Sequence, residues 1–282
     1  VVVIDGTEPE TRECLAAMQD DRIRVIETGS LAGPQAARNA GIRATRGDWV
    51  ALLDDDDEWK PDKLERQLRI ALAARVPHPI VGCHIIARGQ TDFIWPRRLP
   101  GVGEDLSEYL LARRSLFQGE GVFQTSMLLT TRPLLLQVPF DETVTRHQDV
   151  DWLLRAHAVD GTALMYAPEV LSIWNMERPD PGVSERASWR ASFAWVRAAR
   201  PRISPRAYAS FLLVVVAARA RLEREWGALL LLAREAVLNG APRGSDWVLF
   251  LGMCLVPQRL RRRIRDWVRP GRTTHSLTSD VP

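Results

Sequence analysis

The stretch WVALLDDDDEWKPDKLE (Trp49–Glu65) takes an apolar run directly into four consecutive aspartates, followed by an aromatic residue and a proline. Neighbouring carboxylates repel one another and raise each other's pKa values. A cation must therefore balance this charge, or the segment must be fully solvated. The apolar run is typical of a buried strand, and Pro61 suits the first turn of a helix.

Strands and helices alternate on both sides of this stretch, over the first 87 residues. The apolar runs predict strands at Val1–Ile4, Ile23–Ile26, Trp49–Leu53 and Pro79–Ile86, with helices over Glu8–Met18, Pro34–Thr45 and Pro61–Ala74. This alternation predicts an α/β fold with a mainly parallel sheet and helices on both faces. Ligands of such sheets bind beyond the carboxyl ends of strands, where Asp5 and Asp54–Asp57 fall.

The later part of the chain is less regular. Val122–Leu129 has the pattern of a strand, and Arg146–Ala158 that of a helix. After Ser184 the pattern is helical to about Val268, and the tail from about residue 270 is expected to be disordered. In the third predicted helix, one apolar stripe is expected to face the core, formed by Leu64, Leu68, Ala71 and Leu72.

Composition excludes several classes of protein. The 282 residues carry a net charge of +3, and nearly all of the positive charge comes from arginine. We attribute this to general arginine enrichment and not to a nucleic-acid-binding face. The cysteines Cys14, Cys83 and Cys254 have no CxxC spacing, so we expect neither a disulfide framework nor a zinc site. This cysteine usage favours a reducing compartment such as the cytoplasm. No apolar run reaches the roughly 18 residues of a membrane span.

Three kinds of site compete for the four aspartates. A calcium loop is rejected, because position 6 of the EF-hand register requires glycine and is Trp59 here. A phosphotransferase aspartate lacks the small hydroxylated residues expected after it. A site for a divalent metal and a nucleotide diphosphate fits the hard oxygen ligands. A solvated acidic loop that precedes the helix remains the simplest alternative.

A second aspartate with a distinctive setting is Asp149 in RHQDVDWLLRAHA (Arg146–Ala158). Trp152, Leu153 and Ala156 follow it at spacings of 3, 4 and 7, so its side chain is expected to share the inward face of the helix. Asp151 is expected to point elsewhere, with Arg155 as a surface partner. Asp149 is therefore a candidate general base, with a helix N-cap as the structural alternative.

Five segments taken together resemble a known family. They are VVVIDGTEPET, GPQAARNAGIRATRGDWVALLDDDDEWKPDKLERQL, QTSMLL, VPFDE and RHQDVDWLLR. In this order they resemble the bacterial family 2 glycosyltransferases, which have the GT-A fold, over about residues 1–175. The resemblance implies transfer of a sugar from a nucleotide-sugar, with a UDP-sugar as the first expectation. The acceptor would be a saccharide or a lipid-linked glycan.

The resemblance also assigns roles to individual residues. Asp5 would contact the nucleotide base, Arg38 the donor and Asp55 the ribose. Asp56, with Asp54, would bind Mg²⁺ or Mn²⁺, and Asp149 would be the catalytic base. The metal would stabilise the leaving diphosphate while the base takes the proton of the acceptor hydroxyl, which implies in-line displacement with inversion.

The acceptor side of the site is less defined by sequence. Trp95, Arg97 and Trp152 are the candidates for acceptor contact, and packing alone is an equal alternative for Trp95 and its loop. The C-terminal helices contain several tryptophans and the segment RLRRRIRDWVR (Arg259–Arg269). They could lie on an anionic membrane surface at the inner face of the bacterial membrane, or form a helical packing unit.

The resemblance sets the expected domain organisation. A GT-A-like domain would span residues 1–183, with a nucleotide-sugar half at 1–87 and an acceptor half at 88–183, followed by a helical region at 184–282. The family's opening strand and helix, with the pattern V-V-IP-YN, have no counterpart here. We therefore expect an open slot between Val1–Ile4 and Trp49–Leu53. A nucleotidyltransferase or an inactive sugar- or nucleotide-binding remnant are the alternatives.

Overall fold

The computed structural model describes residues 1–89, 91–114, 121–176 and 187–255. The strands are β1 Val2–Ile4, β2 Val25–Glu27, β3 Trp49–Ala51, β4 Glu58–Trp59, β5 His78–Arg88, β6 Phe93–Trp95, β7 Leu129–Thr131 and β8 Thr162–Asn175. The first six helices are α1 Pro9–Ala17, α2 Pro34–Ala44, α3 Lys63–Ala73, α4 Leu106–Leu111, α5 Arg132–Gln137 and α6 Gln148–His157. The later ones are α7 Trp189–Ala199, α8 Pro205–Ser210, α9 Ala217–Leu222, α10 Trp226–Asn239 and α11 Gly244–Leu255, with a π-helical segment, Phe211–Val216, joining α8 to α9.

The central sheet is mixed, which corrects the expectation of a mainly parallel one. Its strands follow the order β3-β7-β5-β8-β4, with β6 added to the same edge of β5 as β7. Of these pairings, only the long one between β5 and β8 is parallel. The α/β class is as expected. The pairing differs because β7 inserts antiparallel beside β3, and strand–helix alternation near β3 carries no information about a partner eighty residues away.

The first strand lies apart from this sheet. β1 pairs in parallel with β2, and β3 pairs with β7, so no pairing joins β1 to β3 among the described strands. This agrees with the expected separation of the two strands. However, Val1 and Val2 are 47% and 36% exposed, so β1 is not buried on both faces as its composition suggested.

One hydrophobic cluster unites the sheet with the later helices. It contains Trp152 and Leu153 of α6, Trp195 of α7 and Leu212 and Leu213 of the π-helical segment. A buried ion pair, Arg206–Asp246, holds α8 to α11. Arg206 also donates a hydrogen bond to the carbonyl of Arg113. The helical region is therefore packed onto the α/β part through a shared core. The proposed boundary at 183/184 lies outside the described residues.

Two local expectations are wrong. Val122–Leu129 is not a strand, because residues Thr125–Met127 form a 3₁₀ turn and the strand begins at Leu129. The buried face of α3 consists of Lys63, Gln67 and Ala71, whereas Leu64 and Leu72 are exposed. Polar contacts explain this orientation of α3, because the Gln67 amide donates to the buried carbonyls of Val81 and Met127, both at 2.8 Å.

Within the described ranges, every helix is too short or too polar to cross a bilayer. The arginine-rich segment Arg259–Arg269 and the tail from about 270 lie outside the described residues.

Candidate active site

The four aspartates of the loop have different surroundings, so their charges are not balanced in the same way. Asp54 forms an ion pair with Arg38 at 2.7 Å, and Asp55 is exposed to solvent. Asp57 is buried, and Ser126 donates to its carboxylate at 2.6 Å. The backbone carbonyl of Asp56 accepts a bond from the amide of Asn175 at 2.7 Å. The loop is thus bound on several sides and is not a purely solvated acidic segment.

Arg38 is the cation that balances this loop. Burial alone lowers the pKa of its guanidinium, but the carboxylates of Asp54 and Asp149 hold the pKa above its usual value. The ring of Phe140 lies beneath it, 5.7 Å from the guanidinium carbon. Its Nε and Nη1 atoms are buried and have no hydrogen-bond partner in the protein. Unsatisfied buried donors are costly, so these N–H groups suit an anionic ligand between Asp54 and Asp149.

The neighbouring residue on α2 holds the segment that leads into α6. The side-chain amide of Asn39 donates to the carbonyl of Phe140, and its oxygen accepts the N–H of Phe140, both at 2.9 Å. One turn earlier, Gln35 donates to the carbonyl of Val144. The two adjacent residues of the ARN motif therefore have different tasks, because Arg38 contacts the acidic loop and Asn39 fixes the VPFDE segment.

Asp149 lies in the first turn of α6, with its carboxylate toward Arg38 and Asp54. Thr125 Oγ1 donates a hydrogen bond to Asp149 Oδ1. Burial raises the pKa of Asp149 to about 6; Asp54 adds to the rise, whereas Arg38 and the bond from Thr125 oppose it. The N-cap is His147, and its side chain forms no capping bond, so the N-cap interpretation of Asp149 is wrong. At pH 7 the carboxylate is mostly ionised and able to accept a proton.

The residues that flank Asp149 connect the site to the helical region. His147 has a left-handed backbone conformation, and its Nε2 bonds Ser192 Oγ at 2.8 Å. Burial between Trp195 and Phe211 lowers the pKa of His147 to about 3, so it stays neutral. Asp151 pairs with Arg155 at 2.7 Å as expected, but it is buried and not at the surface.

Asp5 lies at the entrance of α2. Its two carboxylate oxygens accept the backbone N–H groups of Ala32 and Gly33 at 2.8 and 2.9 Å, and Thr28 Oγ1 donates to it at 3.1 Å. Gly33 directly precedes α2, and Arg38 follows about 7 Å further along the helix axis. Asp5 thus orders the loop before the helix that carries Arg38.

The three candidates for acceptor contact have different surroundings. Trp95 is half-buried against the cluster around Cys83 and Ile85, and the exposed guanidinium of Arg97 lies 5.4 Å from its ring centre. Trp152 is fully buried, stacks on Phe140 at 5.6 Å and donates from Nε1 to the carbonyl of Val138. Trp152 therefore cannot touch an acceptor. Its spacing from Asp149 placed both on an inward face, but the helix buries Trp152 in the core beneath the site.

The carboxylates fit a divalent cation only as part of a shared site. Among the residues described, no cluster of three or more His, Cys, Asp or Glu is arranged to hold a metal ion. Mg²⁺ and Mn²⁺ do not need such a cage, since they are commonly bound by one or two carboxylates and by substrate phosphates. Asp54 and Asp56 are close in the loop, where the N–H of Asp57 bonds the carbonyl of Asp54 at 3.1 Å. The carboxylate oxygens of Asp54 and Asp56 suit a divalent cation whose remaining ligands come from a diphosphate.

The family of this domain follows from a comparison with known proteins. Residues 1–137 match the family model described as glycosyl transferase family 2. Residues 1–137 therefore belong to the family 2 glycosyltransferases. The matched segment contains β1, Arg38 and the acidic loop, and it ends before α6, so the position of Asp149 rests on the geometry above.

Individual relatives agree with this membership. The chain is 25% identical to the amylovoran biosynthesis glycosyltransferase AmsB of Erwinia amylovora, over 88% of this chain and 84% of AmsB. A segment covering 27% of this chain and 30% of the relative is 26% identical to WfaP of Escherichia coli, a UDP-Glc:α-D-GlcNAc-diphosphoundecaprenol β-1,3-glucosyltransferase.

The fold is that of a solved GT-A enzyme. The crystal structure of Staphylococcus aureus TarS 1-349 in complex with UDP-GlcNAc superposes with a TM-score of 0.57 at 15% identity. The match covers 94% of this chain and 78% of that one, and at this identity it concerns the fold alone.

Three residues of the site, Thr125, Ser126 and Asn39, were not among the candidates from sequence. Thr125 and Ser126 lie in the QTSMLL segment, which looked like a strand, yet they bond Asp149 and the acidic loop. Their small hydroxylated side chains among apolar residues were the available signal. Asn39 was equally overlooked, because it follows the more conspicuous Arg38.

Proposed function

We propose that this glycosyltransferase moves a sugar from a UDP-sugar to a hydroxyl group of a saccharide or lipid-linked acceptor, with inversion and with the help of Mg²⁺ or Mn²⁺. The observation that carries the proposal is the convergence of Arg38, Asp54 and Asp149: a half-buried arginine with two unsatisfied buried N–H atoms pairs with Asp54 and interacts electrostatically with Asp149. A negatively charged diphosphate and a nucleophile needing deprotonation are the reactants that such a site can serve.

The donor is bound by α2 and the acidic loop in this proposal. Arg38 would donate to phosphate oxygens through its free N–H groups, and Asp55 is exposed at the loop where a ribose could be bound. Asp5 would face the base from the end of β1, where it is bonded to the loop that precedes α2. UDP as the carrier is supported by two proteins similar to this chain: TarS, whose structure was solved with UDP-GlcNAc, and WfaP, named for its UDP-Glc donor.

Asp56 and Asp54 would hold the divalent cation, which supplies electrostatic stabilisation of the leaving diphosphate. The ion pair between Arg38 and Asp54 brings a second positive charge to the same place. Arg38 would thereby stabilise charge that grows as the sugar–phosphate bond breaks.

Asp149 would take the proton from the acceptor hydroxyl. Its raised pKa, about 6, is close to the working pH while leaving most of the carboxylate ionised at pH 7, which suits a general base. A base on one side of the sugar and a diphosphate on the other imply in-line attack, so the anomeric configuration inverts.

We place this reaction in the cytoplasm, at the inner face of the bacterial membrane, and in the synthesis of an envelope polysaccharide. AmsB is named for amylovoran biosynthesis and WfaP for an acceptor linked to diphosphoundecaprenol, a lipid carrier. A polymer built on a lipid carrier requires the enzyme to work at a bilayer surface.

Two late helices offer a surface for such contact. The outer face of α10 exposes Trp226, Leu230, Leu231, Val237 and Leu238, and that of α11 exposes Val248, Leu251 and Leu255. Exposed arginines, Arg224, Arg234 and Arg243, lie at or beside these helices, while Glu225 and Glu235 bond Arg190 and Tyr208. Apolar side chains edged by cations fit an anionic lipid surface.

A donor-hydrolysis assay tests the proposed reaction. The purified chain is incubated with Mn²⁺ and UDP-glucose, UDP-galactose or UDP-GlcNAc, and release of UDP is measured. We expect release from at least one donor, and its loss in Arg38→Ala. Binding of UDP without any release from these donors would favour a binding remnant over an enzyme.

A further inference from the structure

One short turn contacts both halves of the site. Residues Gln124–Met127 comprise the 3₁₀ turn Thr125–Met127 and its N-cap Gln124, one residue before β7, and consecutive side chains in the turn bond opposite partners. Thr125 Oγ1 donates to Asp149 Oδ1 on α6. Ser126 Oγ donates to Asp57 at 2.6 Å and accepts the backbone N–H of Asp54 at 3.0 Å, so it is hydrogen-bonded to the acidic loop at two points.

The turn is itself fixed from the opposite side. Trp59 Nε1 donates to the carbonyl of Ser126 at 3.0 Å, and Gln67 Nε2 donates to the carbonyl of Met127 at 2.8 Å. Thr125 and Ser126 are 2% and 0% exposed, so water does not compete for these bonds. A buried turn whose carbonyls and hydroxyls are all engaged has little freedom to shift.

We propose that the turn Gln124–Met127 sets the distance between the general base and the diphosphate-binding loop, with Thr125 and Ser126 as separate positioning residues for Asp149 and for Asp54–Asp57. The proposal rests on the function assigned above to these aspartates. It goes beyond that function, because it assigns the spacing of two catalytic groups to a pair of adjacent hydroxyls that touch neither substrate in the proposed arrangement.

The two hydroxyls should have separable effects. The Thr125 hydroxyl bonds Asp149, so its loss should impair proton removal and leave diphosphate binding intact. The Ser126 hydroxyl bonds Asp57 and the backbone of Asp54, so its loss should loosen Asp54 and weaken binding of UDP with Mn²⁺. Removing outer partners of functional ligands commonly costs 10- to 100-fold in affinity or activity.

The bond from Thr125 also affects protonation of the base. A hydrogen bond donated to a carboxylate favours its charged form, and Arg38 and Asp54 are the charged groups that act on Asp149 from α2 and the acidic loop. Thr125→Val should therefore raise the pKa of Asp149 above about 6, whereas Thr125→Ser should keep it near 6. A residue with a merely structural role would not change this pKa.

The experiment compares Thr125→Val, Thr125→Ser, Ser126→Ala and a matched control, Thr130→Val, in the full chain. Thr130 is buried in β7 and donates to the carbonyl of Pro79 at 2.8 Å, so its loss reports the general cost of deleting a buried threonine hydroxyl. Three quantities are measured: the pKa of Asp149 by carboxyl ¹³C NMR, with Asp149→Asn for assignment; the Kd of UDP with Mn²⁺; and the rate of UDP-sugar hydrolysis.

We expect Thr125→Val to raise the pKa and lower the rate about tenfold with the Kd within about twofold, and Thr125→Ser to restore both. Ser126→Ala should weaken the Kd about tenfold without raising the pKa of Asp149. Equal effects of Thr125→Val and Thr130→Val on the pKa would overturn the proposal. The pKa measurement needs no turnover, so a chain that hydrolyses no donor would refute the proposed function while this test still decides the role of the turn.

Discussion

At the scale of single residues, the site depends on a carboxylate that is kept basic by burial. Asp149 is half-buried, and its charged form is compensated by Arg38 and by the Thr125 hydroxyl only in part, so desolvation keeps its pKa raised at about 6. A group tuned in this way destabilises the folded chain at neutral pH, because unfolding would return it to water. Such a cost is characteristic of a functional carboxylate.

Asp149→Asn tests this role. We expect the rate of sugar transfer or donor hydrolysis to fall by roughly two to four orders of magnitude, because the amide cannot take a proton. Binding of UDP should be retained, and the melting temperature should stay equal or rise, since a buried charge is removed. Asp160→Asn, at an exposed position, is the control. A variant that retains the parental rate would place the base elsewhere.

The pH dependence follows from the same carboxylate. Below pH 6 Asp149 is protonated and cannot accept the acceptor proton, so kcat/KM should fall about tenfold per pH unit as the pH decreases. Between about pH 4 and 6 the folded state binds more protons than the unfolded state. The contribution of Asp149 to stability is therefore lost as pH rises through 6. Melting curves of the parent and Asp149→Asn from pH 4 to 8 measure this, and parallel curves would contradict it.

At the scale of elements, sequence periodicity located most helices and strands but not their partners. The segments around α2, β3, α6 and β5 lie within a few residues of their expected positions, because amphipathic and apolar patterns are local. Strand pairing is not local, and so the insertion of β7 beside β3 was missed. The buried face of α3 was mispredicted for a related reason: Gln67 donates to the carbonyls of Val81 and Met127 in distant segments, and Lys63 donates to Gln67.

The acidic loop shows how four identical residues acquire different tasks. Asp57 is buried and accepts bonds from Ser126, Gln124 and the N–H of Asn175, whereas Asp55 is exposed. Burial, opposed by the bonds from Ser126 and Gln124, raises the pKa of Asp57. Nothing in the DDDD sequence itself distinguishes these positions, because the difference arises from the turn and from β8.

Asp57→Asn and Asp55→Asn form a matched pair at this scale. The amide at position 57 would lose one acceptor oxygen and set its NH₂ group against other donors, so we expect a loss of about 1 to 3 kcal/mol in the free energy of unfolding. Asp55→Asn should change it by less than about 0.5 kcal/mol. Urea denaturation measures both, and equal losses would mean that the loop is not held through Asp57.

At the scale of the whole molecule, the helical region supports the site and also presents an apolar surface. His147, beside the base, is enclosed by Trp195 and Phe211 of the later helices, so the backbone before Asp149 is fixed by that region. The outward faces of α10 and α11 are not used in this support. The helical pattern after Ser184 predicted the later helices, but only the folded arrangement shows which of their faces are left exposed.

Vesicle binding tests whether the exposed apolar faces of α10 and α11 contact a membrane surface. The chain should co-sediment with vesicles containing phosphatidylglycerol, and roughly 0.5 M salt should release part of it. The double variant Leu230→Gln/Leu238→Gln should bind more weakly, because both side chains are exposed on α10. Leu31→Gln, which is 85% exposed and far from α10 in the sequence, is the control. Equal binding of both variants, or equal binding to neutral vesicles, would refute the assigned surface.

The central claim is that the acidic loop and Arg38 bind a nucleotide diphosphate together with a divalent cation. Calorimetric titration of UDP with and without Mn²⁺ tests it most directly, using the parent chain, Asp56→Ala and Asp149→Asn. The account predicts that Mn²⁺ strengthens UDP binding to the parent and to Asp149→Asn, and that this gain is lost in Asp56→Ala while the melting temperature is kept. The same UDP affinity in the parent with and without Mn²⁺ would contradict it.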